Sequence, residues 1–166
     1  SLGLFNYGGG IYHGIHVSDK DIEILKNRNV SVITNPSSNV KLASGIAPIT
    51  RYMKEGINLG IGTDGPASNN CLDMFREMFL VTGLGKIREN DASAVDASEV
   101  LKMATIGSAK AIGFKDCEVL QVGKKADIIM LDMKSPNMQP VHNIVKNIVY
   151  SGSKSNVIMT MVNGKI

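Results

Sequence analysis

The sequence contains no tryptophan, two cysteines and five prolines in 166 residues, and aromatic residues make up only 5% of it. Cys71 and Cys117 lie far apart and outside any C-x-x-C pattern, which excludes a disulfide-stapled scaffold and a structural zinc knuckle. They read instead as reduced thiols filling small spaces, as in a cytoplasmic protein. No apolar run approaches the ~18 residues that a membrane helix requires, so no membrane partner is expected. Eighteen basic residues against 15 acidic ones leave a net charge of +3. That charge is mild and includes no basic run interleaved with aromatics, which argues against nucleic acid as a partner. Histidine is scarce as well, limited to His13, His16 and His142. The N-terminus, Ser1-Leu2-Gly3-Leu4-Phe5, has no initiating methionine, basic n-region or cleavable apolar core, and the chain is expected to start in mid-protein.

What is present centres on residues 57–70, Ile-Asn-Leu-Gly-Ile-Gly-Thr-Asp-Gly-Pro-Ala-Ser-Asn-Asn. An apolar run without helical period ends in Asp64, and a polar loop follows at once. Buried parallel strands are near-continuous apolar runs, and α/β active sites sit beyond strand C-termini, so Asp64 is the first candidate for chemistry. An Asp-Gly pair also makes an ordinary turn, and that alternative stands beside the functional one.

The elements before Asp64 alternate. Ile11 and Tyr12 predict a short strand with His13 at its end. Ser18 with Asp21 resembles a capping box and predicts a helix carrying Ile22, Ile24 and Leu25. Residues 30–35 predict a second strand stopped by Pro36, followed by a long polar loop over 37–45. Pro48 to Glu55, with Gly56 just beyond, predicts a helix leading into the Asp64 strand. Beyond it, Asn69 or Asn70 should cap a helix holding Leu72, Phe75, Met78 and Phe79, with a break over 83–90. Asp96 to Glu99 should open another helix, stopping at Gly113. Met53, Met74, Met78 and Met103 fall at core-like helical positions and read as gap fillers. From Lys115 on, strand-like runs over 123–132 and 157–166, with an Asn163-Gly164 turn signal and a short apolar segment over 144–150, read as a small separate β element.

Four tracts closely resemble the amidohydrolase superfamily: Tyr12-His13-Gly14-Ile15-His16, Asn35-Pro36-Ser37-Ser38-Asn39 with its continuation to Pro48, Gly62-Thr63-Asp64-Gly65, and residues 123–127. Within it the chain is most similar to 5-methylthioadenosine/S-adenosylhomocysteine deaminases. The resemblance implies an α/β fold, a (β/α)₈ barrel with a flanking β-sandwich. It matches Asp64 to a metal-ligating, proton-shuttling aspartate at the end of strand eight, and His13 to a substrate-facing histidine at the end of strand six. It implies zinc or another divalent metal, whose bound water becomes hydroxide near neutral pH and attacks an amidine carbon of a purine nucleoside. His13 would stabilise the developing oxyanion or steer the attack. Asn35, Ser38 and Asn39 either contact substrate or hold their own loop, and Ser68 joins them as a substrate-side candidate. His16 reads as structural.

The family's other metal ligands, an H-x-H and a histidine followed three residues later by glutamate, have no counterpart here. A (β/α)₈ barrel takes about 200 residues or more. At ~30 residues per βαβ unit, residues 1–114 hold about strands six to eight, and residues 115–166 a β-sandwich segment. The expectation is therefore a truncated C-terminal part of an aminohydrolase, inactive alone, without a stably bound metal, and prone to form homo-oligomers through its exposed edges. Guanine, cytosine or triazine hydrolases are the alternative enzyme class. A non-catalytic, oligomer-forming fragment is the alternative outside it.

Overall fold

Val30–Thr34, Val-Ser-Val-Ile-Thr, is buried at every position, which requires cover on both faces of the strand. In the computed structural model, which describes residues 2–166, this strand (β2) is the middle of a three-stranded parallel sheet. Its neighbours are β1, Gly9–Tyr12, and β3, Leu59–Ile61, with Ile11 opposite Val32 and Val32 opposite Leu59. Helix α1, Asp19–Asn27, returns the chain from β1 to β2 and buries Ile22 and Leu25, while Ile24 stays partly exposed. The expected capping box forms: Asp21 N–H donates to the Ser18 hydroxyl oxygen, and the Ser18 N–H donates back to the Asp21 carboxylate.

Two helices, not a long loop, connect β2 to β3. Pro36–Lys41 forms α2 and Ile49–Lys54 forms α3, the latter within a residue of expectation, with Gly56 at φ 69 just past its end. The expected loop over 37–45 is corrected at its start because Ser37, Ser38 and Asn39 are buried and find partners there. Pro36 supplies the helical φ of the first residue without losing a needed N–H.

After β3, Pro66–Asn69 makes a short helix, α4, and Met74–Glu89 the long helix α5. Asp73, not Asn69 or Asn70, caps α5 by accepting the Phe75 N–H. The break expected over 83–90 does not occur, because Val81, Thr82 and Gly85 all lie on the buried face. A Cβ at Gly85 would come within 2.6 Å of Val95 Cγ2. There glycine is a packing requirement and the helix continues through it. Phe75 and Met78 are buried, whereas Phe79 packs edge to face on Tyr150.

Asp96 opens α6, Ala97–Lys102, by accepting the Ser98 N–H, while Glu99 pairs with Lys102 instead of reaching back. A π-helical turn over Met103–Gly107 precedes α7, Ser108–Ala111. The Ser108 hydroxyl donates to Met103 O at 2.8 Å and accepts the Ile61 N–H at 3.0 Å, so the widened turn lies against the side of β3 away from β2. Gly107 sits so close that an added Cβ would be 1.9 Å from Leu59 O.

In the tail, β4, Ile128–Leu131, pairs antiparallel with β5, Val157–Met161. The apolar segment between them is helix α8, Ile144–Ser151, which packs against α5 and α6 and buries Val149 in the same core as Val32 and Phe75. The tail is thus neither all β nor held apart from the preceding helices. Lys154 reinforces the contact, its N–H donating to Asp73 and its ammonium to Cys71 O.

Two glycine substitutions should part in sign. Gly107→Ala overpacks the π turn against β3 and should cost at least the ~1–3 kcal/mol typical of such insertions. Gly83→Ala, where a Cβ meets nothing within 4 Å, should stabilise by about 1 kcal/mol through helix propensity. Urea midpoints of the two variants check both, and a neutral Gly107→Ala would contradict the close approach.

Candidate active site

Because the three strands run parallel, their C-terminal ends open on one side of the sheet. His13 follows β1 directly and its N–H continues the ladder to Ile33 O at 2.8 Å; Gly62 does the same for β3, donating to Thr34 O at 2.9 Å. Both candidate reactive residues then leave the extended conformation. His13 has φ 66 and Asp64 φ 60, the left-handed region that Asp and His tolerate better than most side chains. The turns aim the two side chains across the strand ends, where His13 Nε2 lies 3.8 Å from Asp64 Oδ2.

Helix α2 lies between them and supplies the rest. The Ser38 hydroxyl donates to Asp64 Oδ2 at 2.6 Å, and His13 Nδ1 meets Asn39 Oδ1 at 2.7 Å. With the amide oxygen facing Nδ1, the neutral imidazole carries its proton there. Nε2 is then left free to accept on the Asp64 side. The other Asp64 oxygen accepts the Gly65 N–H at 2.8 Å. The Ser38 hydroxyl above all, then that of Ser68 and the Gly65 N–H, hold the Asp64 carboxyl down at about 2, and nearby His13 lowers it slightly more. Ser68 has a single hydroxyl proton and a competing acceptor in Gly65 O at 3.0 Å, so Ser38 is the firmer of the two donors. Asp64 and His13 are each about a third open to solvent, at 33% and 39%.

Of the expected site residues, the fold brings together two hydrogen-bonded pairs, His13 with Asn39 and Asp64 with Ser38, that face each other at 3.8 Å, with Ser68 on the adjoining turn. Asn35 is buried beneath them against Gly62, where a Cβ would fall 2.5 Å from its Oδ1. His16 binds Ser44 O at 2.9 Å, a structural contact as expected. Other polar residues tied to the site escaped the sequence reading. Glu77 is fully buried and accepts from Ser37 and Asn69; Tyr52, also fully buried, donates to Gly14 O at 2.6 Å; Lys41 donates to Ala67 O at 2.7 Å. A signal for Glu77 existed: it falls on the same helical stripe as Met78, Val81 and Gly85.

Among the described residues no group of three or more His, Cys, Asp or Glu side chains could hold a metal ion. Catalytic zinc typically takes three protein ligands, so the donor set of this chain alone does not fit one.

Residues 3–166 match the Amidohydrolase family. The chain belongs to that family. It is 47% identical over 166 residues to a 5-methylthioadenosine/S-adenosylhomocysteine deaminase of Thermoanaerobacter pseudethanolicus, covering 99% of this chain and 38% of that protein. A 5'-deoxyadenosine deaminase of Methanosarcina acetivorans is 46% identical over 165 residues, with the same coverage of each. Among solved structures, an adenosine deaminase from Xanthomonas campestris with bound zinc superposes with a TM-score of 0.91 at 39% identity, covering 94% of this chain and 36% of that one. Atrazine chlorohydrolase from Arthrobacter aurescens, complexed with zinc, gives 0.88 at 26% identity over 94% of this chain and 35% of its own. The amidohydrolase chain described here thus spans about 38% of the length of the curated relatives it matches.

The Ser38 hydroxyl has a measurable consequence in this amidohydrolase chain. A folded pKa of about 2 against the ordinary 3.8 means that ionised Asp64 favours the folded state above pH ~4, and that this contribution disappears as pH falls through ~2. Ser38→Ala removes the main donor, so the carboxyl should titrate at higher pH and the loss on acidification should begin earlier. Titrating the Asp64 carboxyl carbon by NMR checks this; an unchanged midpoint would assign the depression to the Gly65 and Ser68 groups.

Proposed function

We propose that this chain is the C-terminal part of a metal-dependent aminohydrolase acting on a purine nucleoside such as 5-methylthioadenosine or S-adenosylhomocysteine. The observation that carries the reading is the facing pair of His13 Nε2 and Asp64 Oδ2, each braced by α2 through Asn39 and Ser38. In this reading β1, β2 and β3 are strands six, seven and eight of a (β/α)₈ barrel, residues 1–114 are the barrel part, and residues 115–166 a segment of the flanking β-sandwich. The names of the related proteins support the substrate class.

The reaction exchanges an exocyclic amine for a carbonyl oxygen: water adds to the amidine carbon, the carbon–nitrogen bond breaks, and ammonia leaves. A divalent metal, zinc by analogy with the solved relatives, would supply hydroxide near neutral pH in the complete enzyme, with Asp64 as one of its ligands. This chain's residues account for the proton traffic. Asp64 accepts a proton from the attacking water and delivers it toward the leaving nitrogen, its carboxylate held in orientation by one hydroxyl and one N–H. His13, with Nδ1 committed to Asn39, presents Nε2 to the reacting centre. Ser38 and Asn39 act on the substrate through the two side chains they hold, and Ser68 and Asn35 shape the turn and floor around Asp64.

Asp64→Asn tests the reading in a protein of the relatives' full length. Asparagine keeps the shape and tolerates the left-handed turn but accepts no proton, so turnover should fall by the ~10²–10⁴-fold typical of general acid–base catalysis. Ammonia release from 5-methylthioadenosine, S-adenosylhomocysteine and adenosine is the measurement. Near-normal turnover removes Asp64 from the mechanism. The 166-residue chain alone, assayed with added zinc, should release none, and metal-dependent turnover by it would overturn the fragment reading.

A second, compatible reading is supported by the sheet edge. Among the described residues β1 has a partner strand only on its β2 side, and Tyr12 on it is largely exposed. Open parallel edges recruit other chains, so the chain should be dimeric or larger. Light scattering at micromolar concentration is the check, and a compact monomer would reject it.

A further inference from the structure

Glu77 is 0% exposed, yet among the described residues its carboxylate takes part in no ion pair with lysine, arginine or histidine. It is held by neutral donors only. Oε2 accepts the Ser37 N–H at 3.0 Å, and Oε1 accepts the Asn69 side-chain amide at 2.7 Å. Burying a carboxylate on such terms is costly, and an apolar side chain of similar volume would serve packing as well or better. What an apolar side chain cannot do is join two polar segments at once.

The two segments joined are the two walls of the site. Ser37 is in the first turn of α2, and the next two residues are Ser38, which donates to Asp64, and Asn39, which meets His13. Asn69 ends α4; its amide also donates to Thr63 O at 2.6 Å, and its oxygen accepts the Cys71 N–H at 3.2 Å. Thr63 immediately precedes Asp64. Every polar atom of the Asn69 side chain is therefore committed, and one link leads through Glu77 to α2. We propose that Glu77 is a positioning residue that locks the turn carrying Asp64 to the helix carrying Ser38 and Asn39, keeping the Asp64 carboxylate aimed at His13 despite its left-handed backbone. The catalytic meaning of this lock rests on the reading of Asp64 above; its geometry does not.

Three substitutions in the 166-residue chain test the lock. Glu77→Gln keeps the shape but sets an NH₂ group against either the Ser37 N–H or the Asn69 amide, donor against donor. Glu77→Met keeps the bulk and removes both acceptors. Asn69→Ala cuts the other end of the link without touching α5. The readouts are amide hydrogen exchange by NMR and the Asp64 carboxyl and His13 ring signals. The expected result is exchange about 10-fold faster at residues 63–71 and 37–42, with shifted Asp64 and His13 signals, while α1 and α3 change less than about twofold. Uniformly faster exchange across the chain, or an unchanged Asp64 signal in Glu77→Met, would overturn the proposal and leave Glu77 as a structural residue only. Should the Glu77 variants not fold, Asn69→Ala decides by exchange at residues 37–42, to which the Asn69 side chain is linked through Glu77: faster exchange there as well as at residues 63–71 supports the lock, and loosening confined to residues 63–71, which Asn69 also holds directly through Thr63 O, rejects it. Normal turnover of Asp64→Asn in the full-length protein would reject the function reading while leaving the lock standing.

Discussion

Parallel pairing of β1, β2 and β3 puts three strand ends on one side of the sheet, and every site contact described here depends on that alignment. An antiparallel neighbour would send His13 or Asp64 to the opposite rim. The alignment is enforced by β2, which is buried along its whole length and so has no face that tolerates a slipped register. The ladder runs one step past the strands themselves, through the His13 and Gly62 N–H groups. The backbone then turns sharply at His13 and at Asp64, because continued extension would carry each side chain past the other.

Charge in the site is controlled by neutral hydrogen-bond donors more than by opposite charges. Asp64 is lowered chiefly by hydroxyl and N–H groups, with His13 a minor influence, and Glu77 is held by a backbone N–H and an amide. Such donors stabilise the carboxylate in its ionised form, which leaves Asp64 an acceptor at neutral pH while lowering its basicity. The arrangement explains why α2 is short, polar and buried. Its Ser38 and Asn39 side chains reach Asp64 and His13, its first-turn Ser37 N–H faces Glu77, and Lys41 at its far end ties down α4 through Ala67 O.

Much of this frame was legible in the residues. The apolar run ending in Asp64, the Ser18 and Asp21 capping pair, and the Pro48 to Gly56 helix with its glycine stop are local signals, and each has a local cause in the structure. What escaped is non-local. Residues 37–39 look like loop because small polar side chains favour turns in isolation; they form a buried helix because Glu77, Asp64 and His13, distant in sequence, accept or offer their hydrogen bonds. The Gly83 and Gly85 pair looks like a helix break, and tertiary packing of Gly85 on Val95 overrides the propensity. Asn69 looks like an N-cap, but its oxygen, the capping acceptor, is taken by the Cys71 N–H and its amide by Thr63 and Glu77, which leaves Asp73 to cap α5. Glu77 was hidden for a different reason: a glutamate in a helix reads as solvent-facing until its position on the buried stripe is counted.

The tail completes this chain of dependence. Asp73 divides its carboxylate between the Phe75 N–H, which starts α5, and the Lys154 N–H, which belongs to the tail. Helix α8 packs on α5 and α6, and Gly152, just past its end, approaches so closely that a Cβ would be 2.7 Å from the Phe75 ring. The start of α5, where Glu77 sits one turn in, is therefore braced on one side by residues more than 70 positions later, Asp73 to Lys154 being 81 apart. Glu77 can act as a lock only if its own helix does not move, and the tail removes that freedom. The tail thus bears on the site although none of the residues that line it come from there.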